Sequence, residues 1–446
     1  MHDVALGYVV FDNPEAMEHG WAARGDDKKA RLIGGLHDLP TDTVWIFNSE
    51  WDHMHDQQVH HHALYRHCRY FGPSLPKIIR DLGIPDAAAQ EQAVVGAQIA
   101  TRVMNLYGQC FGSPGIVPAN RLALAIREHM APPDTAIPAE LDQALTDSSE
   151  MFDWIRDISG AQDDGIDITL RLHPILYAQM LMGAIIPNDQ VEPEWDDHPP
   201  QRPTLDWLTA QSPLLARLTI KAQDRMISLL LNFGATGDQG SQRRFVTHYE
   251  LSRLLASNVD LRIHQTVRWP PDQKRFATLA PLVERMAEKE GGAFLASESI
   301  SLFAEVLWRA AATRLVPAHT RRQKTSRYRN LAAPFLHAYG RIACANEAIN
   351  LIQDGFLVRR QGYGQIGLLM REGDDWERLA NHCIRHRLIP PVFPAKHALP
   401  RYRPPEDCDP GDPLTASIAL RIRGLSKDVL ELDDALSHWA LRALSV

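Results

Sequence analysis

The stretch Pro187–Thr204, PNDQVEPEWDDHPPQRPT, divides this chain of 446 residues into two parts. It contains five prolines and five acidic residues, and it offers almost nothing apolar to bury. Proline lacks an amide hydrogen and interrupts helices and central strands, so this composition is typical of an exposed linker. A chain of this length has room for more than one core. We therefore predict two main domains that are joined by a linker at residues 187–204.

The patterns on either side of the linker predict a mixed α/β fold of the α+β kind that is rich in helices. Residues 1–186 predict an acidic domain that begins with α/β elements and then becomes helical. Residues 205–389 predict a basic α+β domain. The remaining residues 390–446 begin with a proline-rich segment. They predict a final strand at Ala416–Arg423 and an amphipathic helix at Lys427–Ala443, which pack back on the second domain.

Several elements can be placed more closely. Alternating apolar residues predict strands at Val4–Asp12 and Thr43–Asn48, with a short helix at Asp26–Gly35 between them. This order is typical of an α/β layer. Farther along, Phe356–Met370 predicts two strands around a glycine turn. Asp374–Leu388 predicts a helix with acids near its start and bases near its end, as the helix dipole favours.

Charge is distributed very unevenly along the chain. Residues 1–204 contain 14 basic and 30 acidic residues, a net charge of −16, whereas residues 205–446 contain 33 and 25, a net charge of +8. Residues 309–403 contain 17 basic and 6 acidic residues, a net charge of +11 in a protein whose total is −8. Such asymmetry indicates a region that binds a polyanion.

The densest cationic stretch is Thr320–Asn330, TRRQKTSRYRN, which has five basic residues within nine and no acid. Guanidinium groups bind phosphate oxygens bidentately, and a tyrosine ring can stack on an unpaired base. We therefore predict that the basic region 309–403 binds the backbone phosphates of RNA or DNA, as in a subunit of a nucleoprotein complex. The predicted contacts are Arg321, Arg322, Lys324, Arg327, Tyr328, Arg329, Arg359, Arg360, Gly362 and Gly364.

The segment Gly362–Gly367, GYGQIG, has the spacing of a dinucleotide-binding fingerprint. That motif requires a helix directly after it, but strand-like residues Leu368–Met370 follow here. The pattern instead predicts a hairpin whose bare backbone can approach a phosphate beside Arg359 and Arg360. The alternative is a tight turn that uses glycine for positive φ and binds nothing.

Histidines are concentrated in the segment 52–67, where His53, His55, Asp56 and His60 could bind a divalent metal. The order His, Met, His at residues 53–55 resembles the His-hydrophobic-His pattern with which some single-strand nucleases hold a metal. A metal-dependent hydrolase or nuclease is therefore the alternative function. A polar helix face that is merely rich in histidine is the other interpretation.

A third interpretation involves no catalysis. The arginines of the basic region could dock on the acidic part of the same chain, as in a scaffold protein. The acidic N-terminal part could then also bind a protein partner.

Other features limit the classes of protein. The five cysteines are widely spaced without a CxxC pair, which is typical of a reducing compartment. The N-terminal residues lack the basic and apolar regions of a signal peptide, and the most apolar run, Pro174–Pro187, is too short to span a bilayer. We expect a cytoplasmic protein without a membrane partner. The absence of Gx4GK[ST], GxSxG and HExxH motifs removes the main support for P-loop, α/β-hydrolase and zincin enzymes.

Overall fold

The described part of the chain combines helices with three β-sheets. The computed structural model describes residues 5–49, 71–84, 88–111, 165–173, 176, 183–188, 191–220, 243–257, 259–272, 332–362, 364–409 and 412–424. Within these ranges lie eleven strands and seven α-helices, which confirms the predicted mixed α/β fold. The predicted division into domains at residues 187–204 stays a prediction.

The elements follow one another in this order. The strands are β1 (Ala5–Asn13), β2 (Glu18–Arg24), β3 (Arg31–Gly35), β4 (Thr43–Phe47), β5 (Ile166–Arg171), β6 (Glu194–Asp196), β7 (Leu214–Ile220), β8 (Arg243–Thr247), β9 (Leu261–Arg268), β10 (Leu357–Gly362) and β11 (Gln365–Met370). The helices are α1 (Phe71–Asp81), α2 (Ala89–Phe111), α3 (Leu205–Gln211), α4 (His248–Ala256), α5 (Ala332–Gln353), α6 (Trp376–Arg385) and α7 (Pro413–Ile422).

The first sheet has the strand order β3-β2-β1-β4, with β4 parallel to β1. Alternate residues of its strands enter two different cores, as the period of a strand requires. Val9 and Trp45 lie in one core, whereas Tyr8 and Ile46 lie in the other, where the Tyr8 ring packs against helix α2. The two strands predicted at the start of the chain are therefore confirmed.

The short helix predicted at Asp26–Gly35 is wrong, because Arg31–Gly35 forms strand β3 and pairs with β2. Only every second residue of this strand is buried, and Ile33 fills the core shared with Val9. The two glycines at its end each disfavour a helix by about 1 kcal/mol relative to alanine. Pairing with β2 therefore determines the secondary structure of this segment. The start of the chain forms hairpins instead of the predicted order of strand, helix and strand.

The second sheet has the order β10-β11-β5 and is antiparallel throughout. All six residues of the central strand β11 are buried. Its two strands from Leu357 to Met370 confirm the predicted pair around a glycine turn. The third sheet has the order β6-β9-β7-β8.

Helices α5 and α6 carry or adjoin the residues of the candidate site described below. Helix α5 packs against β10 and α4, and α6 packs against α7. The side chain of Asp375 accepts a hydrogen bond from the Arg378 amide and thereby caps the start of α6. The predicted helix at Asp374–Leu388 is therefore confirmed, with small differences at its ends. Within the described residues, no helix combines the length and the apolar character needed to cross a membrane.

The predicted final strand at Ala416–Arg423 is wrong, because this segment belongs to helix α7. Asp412 caps the helix by accepting a hydrogen bond from the Thr415 amide at 3.1 Å, and Pro413 occupies the first turn, which it favours. Every residue from 414 to 423 is buried, so the apolar pattern reflects burial on all sides of the helix. The amphipathic helix predicted at Lys427–Ala443 lies outside the described residues.

Candidate functional site

The structure describes four of the residues predicted to contact nucleic acid. Arg359, Arg360, Gly362 and Gly364 lie together on the β10–β11 hairpin. The other predicted contacts and the predicted metal ligands lie outside the described residues and stay predictions. They are Arg321, Arg322, Lys324, Arg327, Tyr328 and Arg329 for nucleic acid, and His53, His55, Asp56 and His60 for metal.

The glycine-rich turn between β10 and β11 has the backbone geometry of a hairpin. Gly362 and Gly364 have φ values of 149° and 73°, a region that side chains rarely permit. The Gly364 carbonyl accepts a hydrogen bond from the Leu172 amide at 2.8 Å, which fixes the turn to the end of β5. Strand β11 begins at Gln365, so no helix follows the turn, and the dinucleotide fingerprint lacks its required context.

Arg360 crosses the surface of this sheet. In the strand register, Arg360 is opposite Gly367, which is opposite Thr169 on the next strand. The guanidinium group of Arg360 donates a hydrogen bond from Nη2 to Thr169 Oγ1 at 3.3 Å. A Cβ atom at Gly367 would lie only 2.4 Å from Arg360 Cγ. The third glycine of the motif therefore makes room for an arginine side chain.

The neighbouring Arg359 forms an ion pair with an acidic residue from the first part of the chain. Its Nη1 lies 3.2 Å from Asp167 Oδ1, and its side chain is only 17% exposed. This ion pair is of the kind that the scaffold interpretation predicts. It partly neutralises the charge of Arg359, whereas the neighbouring Arg360 is exposed.

Other cations of the basic region also lie at the surface. The exposed ones within the described residues are Arg360, Arg371, Arg378, Arg385, Arg387, Lys396, Arg401 and Arg403. Carboxylates lie near Arg385 and Arg387, with 3.7 Å between Arg385 Nε and Asp407 Oδ2 and 3.6 Å between Arg387 Nη2 and Asp412 Oδ1. Arg341 differs, because it is buried and paired with the fully buried Glu250.

A second group of polar side chains surrounds a cavity beside α6. The cavity has a volume of about 470 Å³ and is lined by two histidines, three carboxylates, two arginines and one asparagine. His382 and His386 are one helical turn apart, so both point from the same side of α6. Their rings stack with centroids 4.1 Å apart and planes inclined by 6°.

Each of these histidines contacts a carboxylate contributed by α5 or by the residues that follow it. His382 Nδ1 lies 2.6 Å from Asp354 Oδ2, and His386 Nδ1 lies 2.9 Å from Glu347 Oε2. Glu347 and Asp354 are seven residues apart, which places them on one side of the chain as it leaves α5. The C-terminal ends of α5 and α6 thus bring two histidines and two carboxylates together.

Burial of His382 disfavours the charged form of its ring. Burial lowers its pKa, although the hydrogen bond with Asp354 acts in the opposite direction. In the neutral ring, Nδ1 carries the proton and Nε2 carries the lone pair, since an ionised carboxylate can only accept. This Nε2 atom is buried and has no hydrogen-bond partner among the described residues.

Three of these side chains form a group that could hold a metal ion. A ligand atom of each of Glu347, His382 and His386 lies within 4.8 Å of the others. Two imidazoles and one carboxylate are a common donor set for transition metals. The pattern HxxxH at residues 382–386 is the sequence signal for the two histidines of this group.

Comparison with family models and with curated protein sequences finds no match. Solved structures of Phi29 DNA polymerase have low similarity to this chain. The complex with primer-template DNA (post-translocation binary complex) has a TM-score of 0.45 and 9% identity, and the similarity covers 82% of this chain and 80% of that chain. The orthorhombic crystal form gives 0.42 and 9% over the same shares. The complex with single-stranded DNA gives 0.40 and 11%, over 68% of this chain and 59% of that chain. Similarity at this level identifies neither a family nor an activity.

Proposed function

We propose that this protein binds nucleic acid through the basic region of residues 309–403. The observation that carries the proposal is the net charge of +11 in this region of a protein whose total is −8. Most of the cations are arginines, whose planar donor groups match phosphate oxygens better than the point charge of lysine does. A nucleic acid backbone presents a row of phosphates, which can pair with several of these arginines at once.

The hairpin offers the kind of surface that a sugar–phosphate backbone could approach. Gly362 lies in the turn beside β10, and a Cβ atom placed on it would meet no atom within 4 Å among the described residues. Arg360 is exposed near this turn. A bare peptide two residues from an exposed arginine supports the proposal, because both backbone amides and arginines bind phosphates in protein–nucleic acid contacts.

One observation favours the scaffold interpretation as a second candidate. Arg359 pairs with Asp167, which belongs to the acidic first part of the chain. Exposed ion pairs contribute about 0–1 kcal/mol and weaken as salt rises. If docking were the main role of the basic region, added salt would loosen the chain without any nucleic acid, and the radius of gyration would increase.

The proposal can be tested by fluorescence anisotropy with labelled single-stranded and duplex oligonucleotides, in DNA and RNA forms, across a salt series. We expect log K to fall linearly with log salt, by about 0.7 per phosphate contact for single strands and about 0.9 for duplex DNA. The four ligands together distinguish DNA from RNA and single from double strands. Absence of binding at low salt would overturn the proposal.

Variants separate a local phosphate site from a general charge effect. The variant R321S/R322S/R327S/R329S should lower the slope by about 3 for single strands if each arginine contacts one phosphate. The matched control K28S/K29S/R202S/R217S removes four exposed cations from outside the basic region. Equal losses in the two variants would mean that total charge, and not residues 309–403, governs binding.

A further inference from the structure

We propose that Glu347, His382 and His386 bind a divalent transition-metal ion of the zinc class, with Asp354 orienting His382. This site is separate from the segment 52–67 and does not depend on nucleic acid binding. It lies at the C-terminal ends of α5 and α6, beside the cavity described above. Donor type, donor spacing and one buried nitrogen support a metal ion at this place.

The donor type selects the class of metal. Imidazole nitrogen suits zinc, copper, nickel and iron, whereas magnesium and calcium prefer oxygen ligands. Two histidines with one carboxylate recur in catalytic zinc sites and in non-haem iron sites. The set formed by Glu347, His382 and His386 therefore favours a borderline transition metal over magnesium.

The spacing is close to that of a bound ion. Ligand atoms at about 2.1 Å from a tetrahedral zinc ion lie about 3.4 Å from one another. The three ligand atoms here already lie within 4.8 Å of one another. His386 and Glu347 are both partly exposed at their side chains, so rotation about their side-chain bonds can close the remaining distance without moving the helices.

The buried nitrogen of His382 is the independent observation. His382 is only 3% exposed, and its Nε2 atom has no hydrogen-bond partner among the described residues. Buried polar atoms of this kind are rare, and an unseen ion or water is a common reason for them. A histidine that ligates a metal characteristically donates its other ring N–H to a carboxylate, as Nδ1 does to Asp354 Oδ2.

In the first experiment, the metal-free protein is titrated with Co²⁺, and binding is measured by the visible absorption of the bound ion. We expect wild-type protein to bind Co²⁺ and to release it to Zn²⁺ but not to Mg²⁺. Variants H386N and E347Q should each lose one equivalent of Co²⁺. The control variant H37N, which changes an exposed histidine beside Asp38, should lose none.

Counting equivalents keeps this site distinct from any metal bound by the histidines of residues 52–67. Ions held there would persist in H386N and disappear when His53, His55 and His60 are changed to glutamine. D354N should retain the stoichiometry but weaken binding by roughly 10–100-fold, as expected for an orienting carboxylate. If H386N and E347Q bind as many Co²⁺ ions as wild type, with equal affinity, the proposed site does not exist.

Discussion

Arg360 lies directly across Gly367 on the surface of the β10–β11–β5 sheet and reaches Thr169 on the far strand. The glycine has no side chain, and the stem of the arginine occupies the space that a side chain would take. A spacing of glycines that resembles a nucleotide fingerprint is thus accounted for by the packing of one sheet.

We expect Gly367→Ala to destabilise the protein by about 1–3 kcal/mol, the usual cost of overpacking. The added Cβ would lie 2.4 Å from Arg360 Cγ, so the arginine would have to leave its position across the sheet. Urea unfolding of G367A, R360A and the double variant measures the coupling between the two residues. R360A should remove most of the penalty of G367A, and an unchanged penalty in that background would show that the backbone itself rejects alanine.

A buried ion pair joins α4 to α5. Glu250 is fully buried, accepts a hydrogen bond from the Thr247 amide at 2.7 Å and pairs with Arg341. We expect Glu250→Gln to lower the free energy of unfolding by about 3–5 kcal/mol, because it removes the negative charge beside the buried Arg341 guanidinium. Chemical denaturation measures this loss.

The double variant E250Q/R341M provides the control for that prediction. It removes both charges, so it should be more stable than E250Q alone. If the double variant is instead as unstable as E250Q or less stable, then the capping role of Glu250 and the packing of Arg341, not their charges, account for the loss.

Acid should destabilise the fold through its buried histidines. Burial lowers the pKa of His248 to about 3, so the folded state cannot take up the proton that the unfolded state binds below about pH 6.5. The free energy of unfolding should therefore fall by about 1.4 kcal/mol per pH unit for this group as the pH drops from 6.5 towards 3. His173, whose pKa is lowered to about 4 mainly by burial, adds to the slope.

Unfolding free energies measured across this pH range test that assignment. His248→Phe keeps a ring near Tyr249 and Phe335 but has no proton to bind, so the slope should decrease by that of one group. The variant H37N, which changes an exposed histidine, serves as the control for removing a histidine from the surface. An identical slope in His248→Phe and wild type would show that His248 is not a source of acid instability.

The start of α7 depends on Asp412. Its carboxylate accepts hydrogen bonds from the Thr415 amide at 3.1 Å and from Thr415 Oγ1 at 2.9 Å. We expect Asp412→Ala to cost about 1 kcal/mol in urea unfolding, whereas Asp412→Asn should lose much less, because asparagine is an equally good cap. Equal losses would assign the effect to the charge near Arg387 and not to the cap.

This same helix shows where sequence patterns fail. Ile418, Leu420 and Ile422 alternate with other residues, which is the period of a strand. In α7 the intervening residues are buried as well, so the alternation carries no information about which face is inside. The informative signal was Asp412-Pro413, a cap followed by a first-turn proline. The hairpin at Leu357–Met370 was predictable because its turn requires glycine.

Only the two histidines of the candidate metal group could have been predicted from the sequence to lie close together. His382 and His386 are one turn apart in a segment that was predicted to be helical, so their proximity could have been inferred. Glu347 lies 35 residues before His382, and only the tertiary fold brings its carboxylate within 2.9 Å of His386 Nδ1. No local pattern encodes that contact.

The long sequence separation between β5 and its partner β11 affects the chain during its synthesis. Strand β11 follows β5 by about 200 residues, and the one other backbone bridge of Arg171 within the described residues goes to Ile389. At a synthesis rate of about 5–20 residues per second, the strand leaves the ribosome about 10–40 s before its partner exists. During that interval a newly made chain presents an open strand edge, so chaperone occupancy should concentrate on nascent chains that end between the two strands.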